Sequence, residues 1–318
     1  MMAETEIHTD GSTRPMARKN VLIAGARSYV GTSFAAYAQT RYPHDFAVSA
    51  ISLRDDSWRQ LDFSDVDTVF YTVGIAHIKE TDDNRHLYYE VNRDLTVEFA
   101  GAAKKAGVRQ FIMMSSMSVY GCEVGHITKD TPPAPKGAYG CSKLEADELL
   151  AAMQDESFRV AILRPPMIYG RDCKGNYRQL EKFAGKSPLF PKLPNERSML
   201  YIGNLCEFVC GLIREGGEGL FFPQNQEYVC TYDMVCRISQ IRRGKMTRGF
   251  RILNPLIRVL PIHVCRKVFG SLTYEKTDTV NMFVFEESIR LSELPAGADT
   301  DDGAAPPRTE DTAVKEQV

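Results

Sequence analysis

The amino-acid sequence predicts an α/β fold built on a doubly wound parallel sheet, followed by a smaller C-terminal domain. Through the first half of the chain, apolar, β-rich runs alternate with segments of helical periodicity, which is the pattern of successive β–α–β units. The first apolar run leads directly into the glycine-spaced stretch GARSYVG at 25–31. Beyond about residue 166 the chain is more irregular and richer in Pro and Gly. We therefore expect helices on both faces of one parallel sheet, and a less regular second unit after it.

The predicted elements follow one another in chain order. The connection from Leu61 to Asp67 has too few residues for a helix of ordinary length, so the crossover that contains it is predicted to be a loop. In the first part we expect strands at NVLIAG, FAVSAISL, DTVFYTV, QFIMMSS and FRVAILRP, and helices near 29–41, 85–106 and 139–154. In the second part we expect short strands near 200–202, 220–222 and 227–230, and helices near 204–214 and 231–241.

Domain boundaries follow from changes in composition along the 318 residues. Residues 1–18 are polar without periodicity, and residues 295–318 combine Pro, Gly and Ala with net acidic charge, so both are predicted to be disordered tails. The sheet domain is predicted over 19–165, and 166–294 mainly form the smaller domain.

Overall charge and cysteine usage limit the function classes. The net charge of -2 gives no general attraction to nucleic acid, so we expect no nucleic-acid partner. No signal peptide or membrane-length apolar segment is recognisable, and a soluble cytoplasmic protein is the expectation. The 8 cysteines form no CxxC pair and no Cys/His zinc spacing, so we expect reduced thiols and no metal site.

The GARSYVG stretch is typical of a loop that binds a dinucleotide. Gly25 ends the first strand and allows a tight turn, and Gly31 allows the next helix to pack on the sheet. The helix N-terminus around Tyr29 and Val30 offers free N–H groups to a pyrophosphate. Ser28 occupies the place of a middle glycine, which permits a slightly different phosphate position. An ordinary strand-to-helix turn is the alternative interpretation.

The pair Tyr139 and Lys143 in YGCSK indicates acid–base chemistry. Side chains four residues apart share one helix face, and an ammonium near a phenol lowers the pKa of the phenol. The strand QFIMMSS ends at Ser116, at the carboxyl edge of the sheet where doubly wound folds bind ligands. A hydroxyl there could hold a substrate oxygen beside Tyr139. Two residues on a helix surface are the plain alternative.

Four motifs in chain order closely resemble the extended short-chain dehydrogenase/reductase family, in its nucleotide-sugar epimerase/dehydratase branch of the UDP-glucose 4-epimerase type. The resemblance covers roughly residues 19–285 and rests on GARSYVG (25–31), SSMSVYG (115–121), YGCSK (139–143) and RPPMIYG (164–170). It implies a Rossmann fold with a C-terminal substrate-binding domain, and an NAD(P) cofactor.

The resemblance also implies roles for individual residues. Ser116 takes the Ser/Thr place of the catalytic triad, Tyr139 becomes the acid/base, and Lys143 is its partner and holds the nicotinamide ribose. Asn92 resembles the family's Asn in the helix behind the nicotinamide, with a polar residue on a helix surface as the alternative. For the substrate, Asn176 in KGNY resembles the residue that positions a nucleotide diphosphate, and Arg197 in RSMLYIGNL resembles the diphosphate-binding arginine. A surface charge is the alternative for Arg197.

Departures from the family pattern narrow the reaction. The Asp-Glu pair with which sugar dehydratases eliminate water is replaced by Met117-Ser118, which disfavours dehydration. Hydride transfer at carbon 4 of a UDP-hexose remains, either as an epimerase or as a 4-ketoreductase. Met167 and Tyr71 replace the family's usual Asn and His and leave details of the pocket open. A reductase of a non-sugar ketone and a non-catalytic dinucleotide-binding regulator are the alternative functions, and a homodimer is possible.

The end of the second strand bears on the choice of cofactor. NAD enzymes place an acid there on the ribose hydroxyls, whereas this chain has Ser52 and Arg54. Arg27 and Arg54 together could hold a 2′-phosphate, which mildly favours NADP(H) over NAD. Asp55 or Asp56 could still serve the ribose if the strand ends later.

One segment has no assigned role. Residues 234–274 contain nine Lys or Arg and no Asp or Glu. This run could flank an anionic substrate, touch a membrane surface, or form a solvated basic face, which is the plainest interpretation.

Overall fold

Six parallel strands form the central sheet of the protein, in a computed structural model that describes residues 17–76, 78–252, 254, 263–276 and 281–294. The strands are β1 (Lys19–Ala24), β2 (Phe46–Ile51), β3 (Thr68–Tyr71), β4 (Gln110–Met114), β6 (Arg159–Leu163) and β10 (Gly219–Phe221). Their order in the sheet is β10-β6-β4-β3-β1-β2, and every neighbouring pair runs parallel. The strand order reverses between β1 and β3, and this reversal is where such sheets bind ligands.

Helices cover both faces of the sheet, which confirms the predicted doubly wound architecture. The helices are α1 (Tyr29–Arg41), α2 (Arg85–Tyr89), α3 (Leu95–Lys105), α4 (Gly137–Met153), α5 (Asn176–Lys186), α6 (Ile202–Glu215), α7 (Thr231–Arg243), α8 (His263–Phe269) and α9 (Phe285–Glu293). One face of the sheet packs against α1 and α6, and the other face packs against α3 and α4.

Two connections differ from regular β–α–β crossovers. Between β2 and β3 the chain forms only a 3₁₀ turn, Asp56–Gln60, with Trp58 buried against the sheet, so the predicted helix-free crossover is confirmed. The helix expected near 85–106 is divided into α2 and α3 by a π-helical turn, Glu90–Asp94. Such wide turns recur at functional positions of helices.

Short parallel pairs organise the second half of the chain. Strands β7 (Met167–Tyr169) and β9 (Met199–Tyr201) pair, as do β8 (Leu189–Pro191) and β11 (Arg248–Phe250), and β5 (Gly125–Ile127) and β12 (Leu272–Tyr274). The strand predicted near 227–230 is reduced to an isolated bridge between Val229 and Arg197.

Nearly all of the two predicted tails lies outside the described residues, since only residues 17 and 18 of them are described. Within the described part of the chain, none of the helices has both the length and the apolar character needed to cross a bilayer.

Candidate active site

The glycine loop lies between the ends of β2 and β3, at the reversal of strand order. The N–H groups of Gly25 and Ala26 both donate to the Ile51 carbonyl, at 2.9 and 2.8 Å, which fixes the loop to the end of β2. Gly25 has φ +115°, and a Cβ there would lie 2.5 Å from Thr72 Oγ1. A side chain at this position would therefore be strained by its backbone angle and would collide with the chain after β3.

Ser28 caps α1 and so has a structural role in the loop. Its Oγ accepts a hydrogen bond from Gly31 N at 2.8 Å and lies 2.6 Å from Thr72 Oγ1. A Cβ on Gly31 would lie 2.8 Å from the Ser28 Oγ and 2.9 Å from the Gly25 carbonyl. The serine therefore depends on a glycine three residues later, and the two together hold the helix N-terminus against the sheet edge.

The other predicted residues of this loop occupy different environments. Arg27 is exposed, whereas Val30 packs against the core beneath the sheet. The Tyr29 hydroxyl is buried and has no hydrogen-bond partner among the described residues, and a Cβ on Gly170 would lie 2.6 Å from it. Tyr29 thus points its ring toward the second half of the chain, while Arg27 faces solvent.

Arg54 is exposed at the end of β2, and the two acids after it are already occupied. Asp55 accepts from Ser57 N at 3.0 Å as the cap of the 3₁₀ turn, and these bonds to Ser57 lower the pKa of Asp55. Asp56 forms an ion pair with Arg59 at 3.0 Å. The strand ends at Ile51 and Arg54 follows three residues later, while Asp55 and Asp56 each bond through one carboxylate oxygen at the surface.

The end of β4 brings Ser116 to Tyr139. Ser116 begins the turn after the strand, where its Oγ accepts from Ser118 N at 3.1 Å, and Tyr139 lies in the first turn of α4. Burial raises the pKa of Tyr139, and its hydrogen bond with Ser116 opposes that rise. Without further help the phenol is therefore protonated at neutral pH and is a proton donor.

Lys143 lies one helical turn after Tyr139 and is buried. Its Nζ donates to the Met114 carbonyl at 2.9 Å, so the last residue of β4 fixes the ammonium beneath the site. Burial lowers the pKa of Lys143 to about 8, and the negative charge of Asp147 opposes this shift. Lys143 thus lies four residues after Tyr139 on the same helix, with its ammonium held against the end of β4.

A buried ionic network that was not predicted supports Lys143. The Oδ2 atom of Asp147 accepts from Ser115 Oγ and from Arg164 Nε, both at 2.9 Å, and Arg164 Nη1 donates to the Tyr120 hydroxyl at 2.9 Å. Asp147 Oδ1 is buried without a hydrogen-bond partner among the described residues. Burial raises the pKa of Asp147, and the Arg164 charge opposes that rise. The sequence signal for Asp147 was its i+4 spacing from Lys143 on one helix face.

Asn92 is fully buried, which rules out the surface alternative for this residue. In the π-helical turn its side chain accepts from Ile75 N at 2.8 Å and donates to the Ile75 carbonyl and to Ser142 Oγ, both at 3.1 Å. It thereby joins the loop after β3 to α4. In that loop a Cβ on Gly74 would lie 3.0 Å from Asn92 Oδ1 and 3.2 Å from Lys143 Nζ, so Gly74 allows the close approach.

The two residues that are predicted to bind the substrate lie later in the chain than Ser116, Tyr139 and Lys143, and they belong to other elements of the fold. Asn176 is exposed and is the first residue of α5. Arg197 is half-buried before β9, where its Nη1 donates to the Gly270 carbonyl at 2.7 Å and burial lowers its pKa. The structure brings neither residue into a hydrogen bond with Ser116, Tyr139 or Lys143 within the part of the chain it describes.

Two departures from the family pattern have clear structural consequences. Tyr71 is a core residue stacked on Phe111 with centroids 5.6 Å apart, so it does not line the site. Met117 is half-buried beside the small cluster around Val119 and Tyr120, and no carboxylate follows Ser116. The described residues at this site therefore include a tyrosine and a lysine on one helix but no carboxylate directly after Ser116.

The donor set fits a dinucleotide. Gly25 and Gly31 leave the space that a Cβ would fill, and the N–H groups and dipole at the N-terminus of α1 favour a pyrophosphate there. Ser116, Tyr139 and Lys143 lie at the neighbouring end of β4. This arrangement can bind a phosphorylated cofactor beside a residue that takes up or releases one proton.

Comparisons with known proteins agree with this arrangement. Residues 21–219 match the family model described as the NAD dependent epimerase/dehydratase family. The chain is 29% identical over 289 residues to a UDP-glucose 4-epimerase of Vibrio cholerae, which covers 83% of this chain and 84% of that protein. It is 30% identical over 206 residues to an N-acetyl-alpha-D-glucosaminyl-diphospho-ditrans,octacis-undecaprenol 4-epimerase of Escherichia coli O157:H7, covering 60% and 62% of the two chains.

Two solved structures share the fold. The crystal structure of a UDP-glucuronic acid 4-epimerase from Bacillus cereus with NAD superposes with a TM-score of 0.66 at 17% identity, over 86% of this chain and 97% of that one. A dTDP-4-dehydrorhamnose reductase from Bacillus anthracis with NADP gives 0.65 at 14% identity, over 86% and 98%. At these identities the likeness concerns the fold.

Proposed function

Because this chain belongs to the NAD-dependent epimerase/dehydratase family, we propose that it transfers hydride at carbon 4 of a hexose carried on a diphosphate. It is an NAD(P)-dependent sugar-nucleotide enzyme, of the epimerase or the 4-ketoreductase kind. The observation that carries the proposal is that Ser116 at the end of β4 lowers the pKa of Tyr139, with buried Lys143 one helical turn later and bonded to the Met114 carbonyl. The two relatives described above are named as 4-epimerases, one of UDP-glucose and one of a sugar linked through a diphosphate to undecaprenol.

The three side chains divide the proton chemistry. When bound, the nicotinamide accepts or donates the hydride. Tyr139 takes the proton from the carbon-4 hydroxyl during oxidation and returns it during reduction. Ser116 holds the sugar oxygen and stabilises the phenolate form by its hydrogen bond. The positive charge of Lys143 favours the phenolate form of Tyr139, and its ammonium supplies a donor for the ribose hydroxyls. The carboxylate of Asp147 raises the pKa of Lys143 against the effect of burial.

The cofactor is NAD or NADP, and we propose a preference for the phosphorylated form. The exposed guanidinium groups of Arg27 and Arg54 are on loops held together by the bonds from Gly25 and Ala26 to Ile51. A forked guanidinium suits a 2′-phosphate. Asp55 and Asp56, which could have served the ribose of NAD, cap the 3₁₀ turn and pair with Arg59. This favours the 4-ketoreductase, whereas the likeness to named 4-epimerases favours the epimerase.

We propose that residues 166–294 mainly bind the substrate, with Asn176 and Arg197 on its diphosphate, and that 19–165 bind the cofactor. An arginine with its guanidinium half-buried retains its charge at neutral pH although burial lowers its pKa. We further propose a cytoplasmic homodimer that pairs through α4, where the Leu149 side chain is 45% exposed.

One assay distinguishes the reactions. The purified protein is incubated with UDP-hexoses, their 4-keto forms and polyprenyl-diphosphate hexoses, with and without NADPH. Interconversion of epimers without net change in the cofactor indicates an epimerase, and stoichiometric loss of NADPH indicates a reductase. Reduction of a non-sugar ketone with no turnover of any diphosphate-linked sugar would contradict the proposal. Protection of the protein from heat by UDP, lost in Arg197→Ala, tests the assignment of the diphosphate site separately.

A further inference from the structure

The paired strands β8 and β11 present a surface on which apolar and basic side chains alternate. The two strands run parallel, with Leu189 opposite Arg248, so both side chains project from the same face of the ribbon. Leu189 is 50% exposed, Met246 is 55% exposed and Ile252 is 87% exposed. We define the β8–β11 surface by three apolar and three basic residues: Lys186, Leu189, Lys245, Met246, Arg248 and Ile252.

Backbone and side-chain hydrogen bonds join the end of α5 to the start of β11 within this surface. Arg248 N donates to the Pro188 carbonyl at 2.8 Å, which places the start of β11 beside the end of α5, where Lys186 lies. Thr247, between Met246 and Arg248, is buried and its Oγ1 donates to the Ser187 carbonyl at 3.3 Å. The exposed residues on either side of Thr247 are therefore held on a rigid support and do not belong to a detached loop.

The positive charge of this surface is not neutralised by neighbouring acids. Lys186, Lys245 and Arg248 are exposed and form no ion pair with any described residue. By contrast, Arg237 and Arg242 of the same basic segment pair with Glu286 and with Glu181, at 2.7 and 2.6 Å. The basic segment of the sequence thus contains arginines that pair with acids and a group of cations that face solvent without a paired acid among the described residues.

This combination matches the interface of an anionic lipid bilayer. Lysine and arginine bind lipid head groups, and aliphatic side chains beside them insert into the boundary with the acyl chains. A nucleic-acid backbone would use the cations but would leave Leu189, Met246 and Ile252 in water, because phosphates offer no apolar surface. Three exposed aliphatic residues among uncompensated cations therefore favour lipid over nucleic acid.

We propose that the β8–β11 surface docks the protein onto a membrane that contains anionic phospholipids. The surface lies at the far end of α5 from Asn176, and an 11-residue helix is about 15 Å long between its end residues. A membrane bound there lies one short helix away from the proposed diphosphate site. The proposal does not depend on the sugar or on its carrier, since it rests on the charge and exposure of the surface itself.

The test is co-sedimentation of the full chain with vesicles. Binding to vesicles of phosphatidylcholine with phosphatidylglycerol is expected, weak binding to phosphatidylcholine alone, and release at high salt because screening weakens the attraction of the cations. Each basic residue near such a surface contributes about five-fold in affinity, so Lys245→Glu with Arg248→Glu is expected to weaken binding by about 30-fold or more. Met246→Ser with Ile252→Ser is expected to weaken it by about ten-fold, because the apolar insertion is lost.

A matched control carries the same change of net charge elsewhere. Arg41→Glu with Lys105→Glu alters two exposed cations at the ends of α1 and α3, and its vesicle binding is expected to remain within about two-fold of the wild type, since these residues are remote from β8 and β11. Equal binding to both vesicle types overturns the proposal, as does equal loss in the control and the surface variant. Binding of an oligonucleotide that the Lys245/Arg248 variant loses, without vesicle binding, also overturns it.

Discussion

Asp147 and Lys143 share one buried face of α4, and the carboxylate of Asp147 keeps the pKa of Lys143 higher than burial alone would set it. Asp147 is itself fixed by Ser115 and Arg164. The cation that we propose assists Tyr139 therefore depends on a carboxylate that is held inside the fold by Ser115 and Arg164. This relationship between two helix positions connects the stability of the protein to its pH range of activity.

Asp147→Asn is expected to move the alkaline limit of kcat/KM to lower pH. Without the carboxylate the pKa of Lys143 falls below about 8, so the charged form is lost earlier as pH rises. Arg164 also loses its buried counter-charge, which typically costs about 3 to 5 kcal/mol of stability. The pH profile of kcat/KM measures the shift of the alkaline limit, and thermal melts measure the loss of stability. Glu148→Gln, an exposed neighbour on α4, is the control, and a profile that matches in both variants would show that Asp147 acts only structurally.

Lys143→Met is expected to stabilise the folded protein at neutral pH while it abolishes turnover. The folded pKa of Lys143 is lowered from 10.5 to about 8, so burial of the charge costs about 3 kcal/mol below pH 8. Loss of the bond to the Met114 carbonyl and of the attraction to Asp147 offsets part of this gain, leaving about 1 to 2 kcal/mol.

The pH dependence of this gain has a fixed sign. Between about pH 8 and 10.5 the folded wild type releases the proton that the unfolded chain still binds, so the cost of Lys143 declines as pH rises. The stability difference between Lys143→Met and wild type should accordingly shrink across that window in denaturant titrations. The exposed Lys105→Met should show no such trend, and a constant difference for Lys143→Met would mean that the lysine is not charged in the fold below pH 8.

Tyr139→Phe is expected to lower kcat by about 10²- to 10⁴-fold, the usual contribution of a general acid–base group. Dinucleotide binding and melting temperature should change little, because the substitution removes a single hydroxyl that bonds to Ser116. Tyr88→Phe is the matched control, since its ring packs on Tyr139 with centroids 6.4 Å apart and its hydroxyl donates to the Ile78 carbonyl. Equal losses in the two variants would assign the effect to packing.

Arg27→Ala and Arg54→Ala are each expected to weaken NADPH binding by about ten-fold or more and NADH binding by much less. A charge-assisted hydrogen bond to the 2′-phosphate typically contributes about 1.5 to 3 kcal/mol, and NADH has no such phosphate. Fluorescence titration with both dinucleotides measures the ratio. Arg59→Ala is the control, because Arg59 is exposed near the same edge but pairs with Asp56. Similar weakening for both dinucleotides would contradict a 2′-phosphate site.

Local sequence patterns were sufficient for five of the six strands of the sheet, whereas β10, which was predicted as a strand of the smaller domain, pairs with β6 at the edge of the central sheet. The parallel strands β1 to β4 and β6, and α1 and α4, lie where apolar runs and helical periodicity predicted them. The helix-free crossover after β2 was also predictable, because chain length alone limits what can connect two strands. The π turn at Glu90–Asp94 was not predicted, and within it Asn92 bonds to Ile75 and Ser142, which lie on other elements of the fold.

The sequence by itself determined the glycine loop, the Ser116, Tyr139 and Lys143 candidates and their order, because each depends on spacing within a few residues. Only the tertiary structure decided that Asp147, Ser115 and Arg164 form a buried network around that lysine, that Tyr71 belongs to the core, and that part of the basic segment faces solvent beside apolar side chains. The physical reason is that burial and ion pairing depend on elements that approach from distant parts of the chain, and local periodicity carries no information about which of them meet.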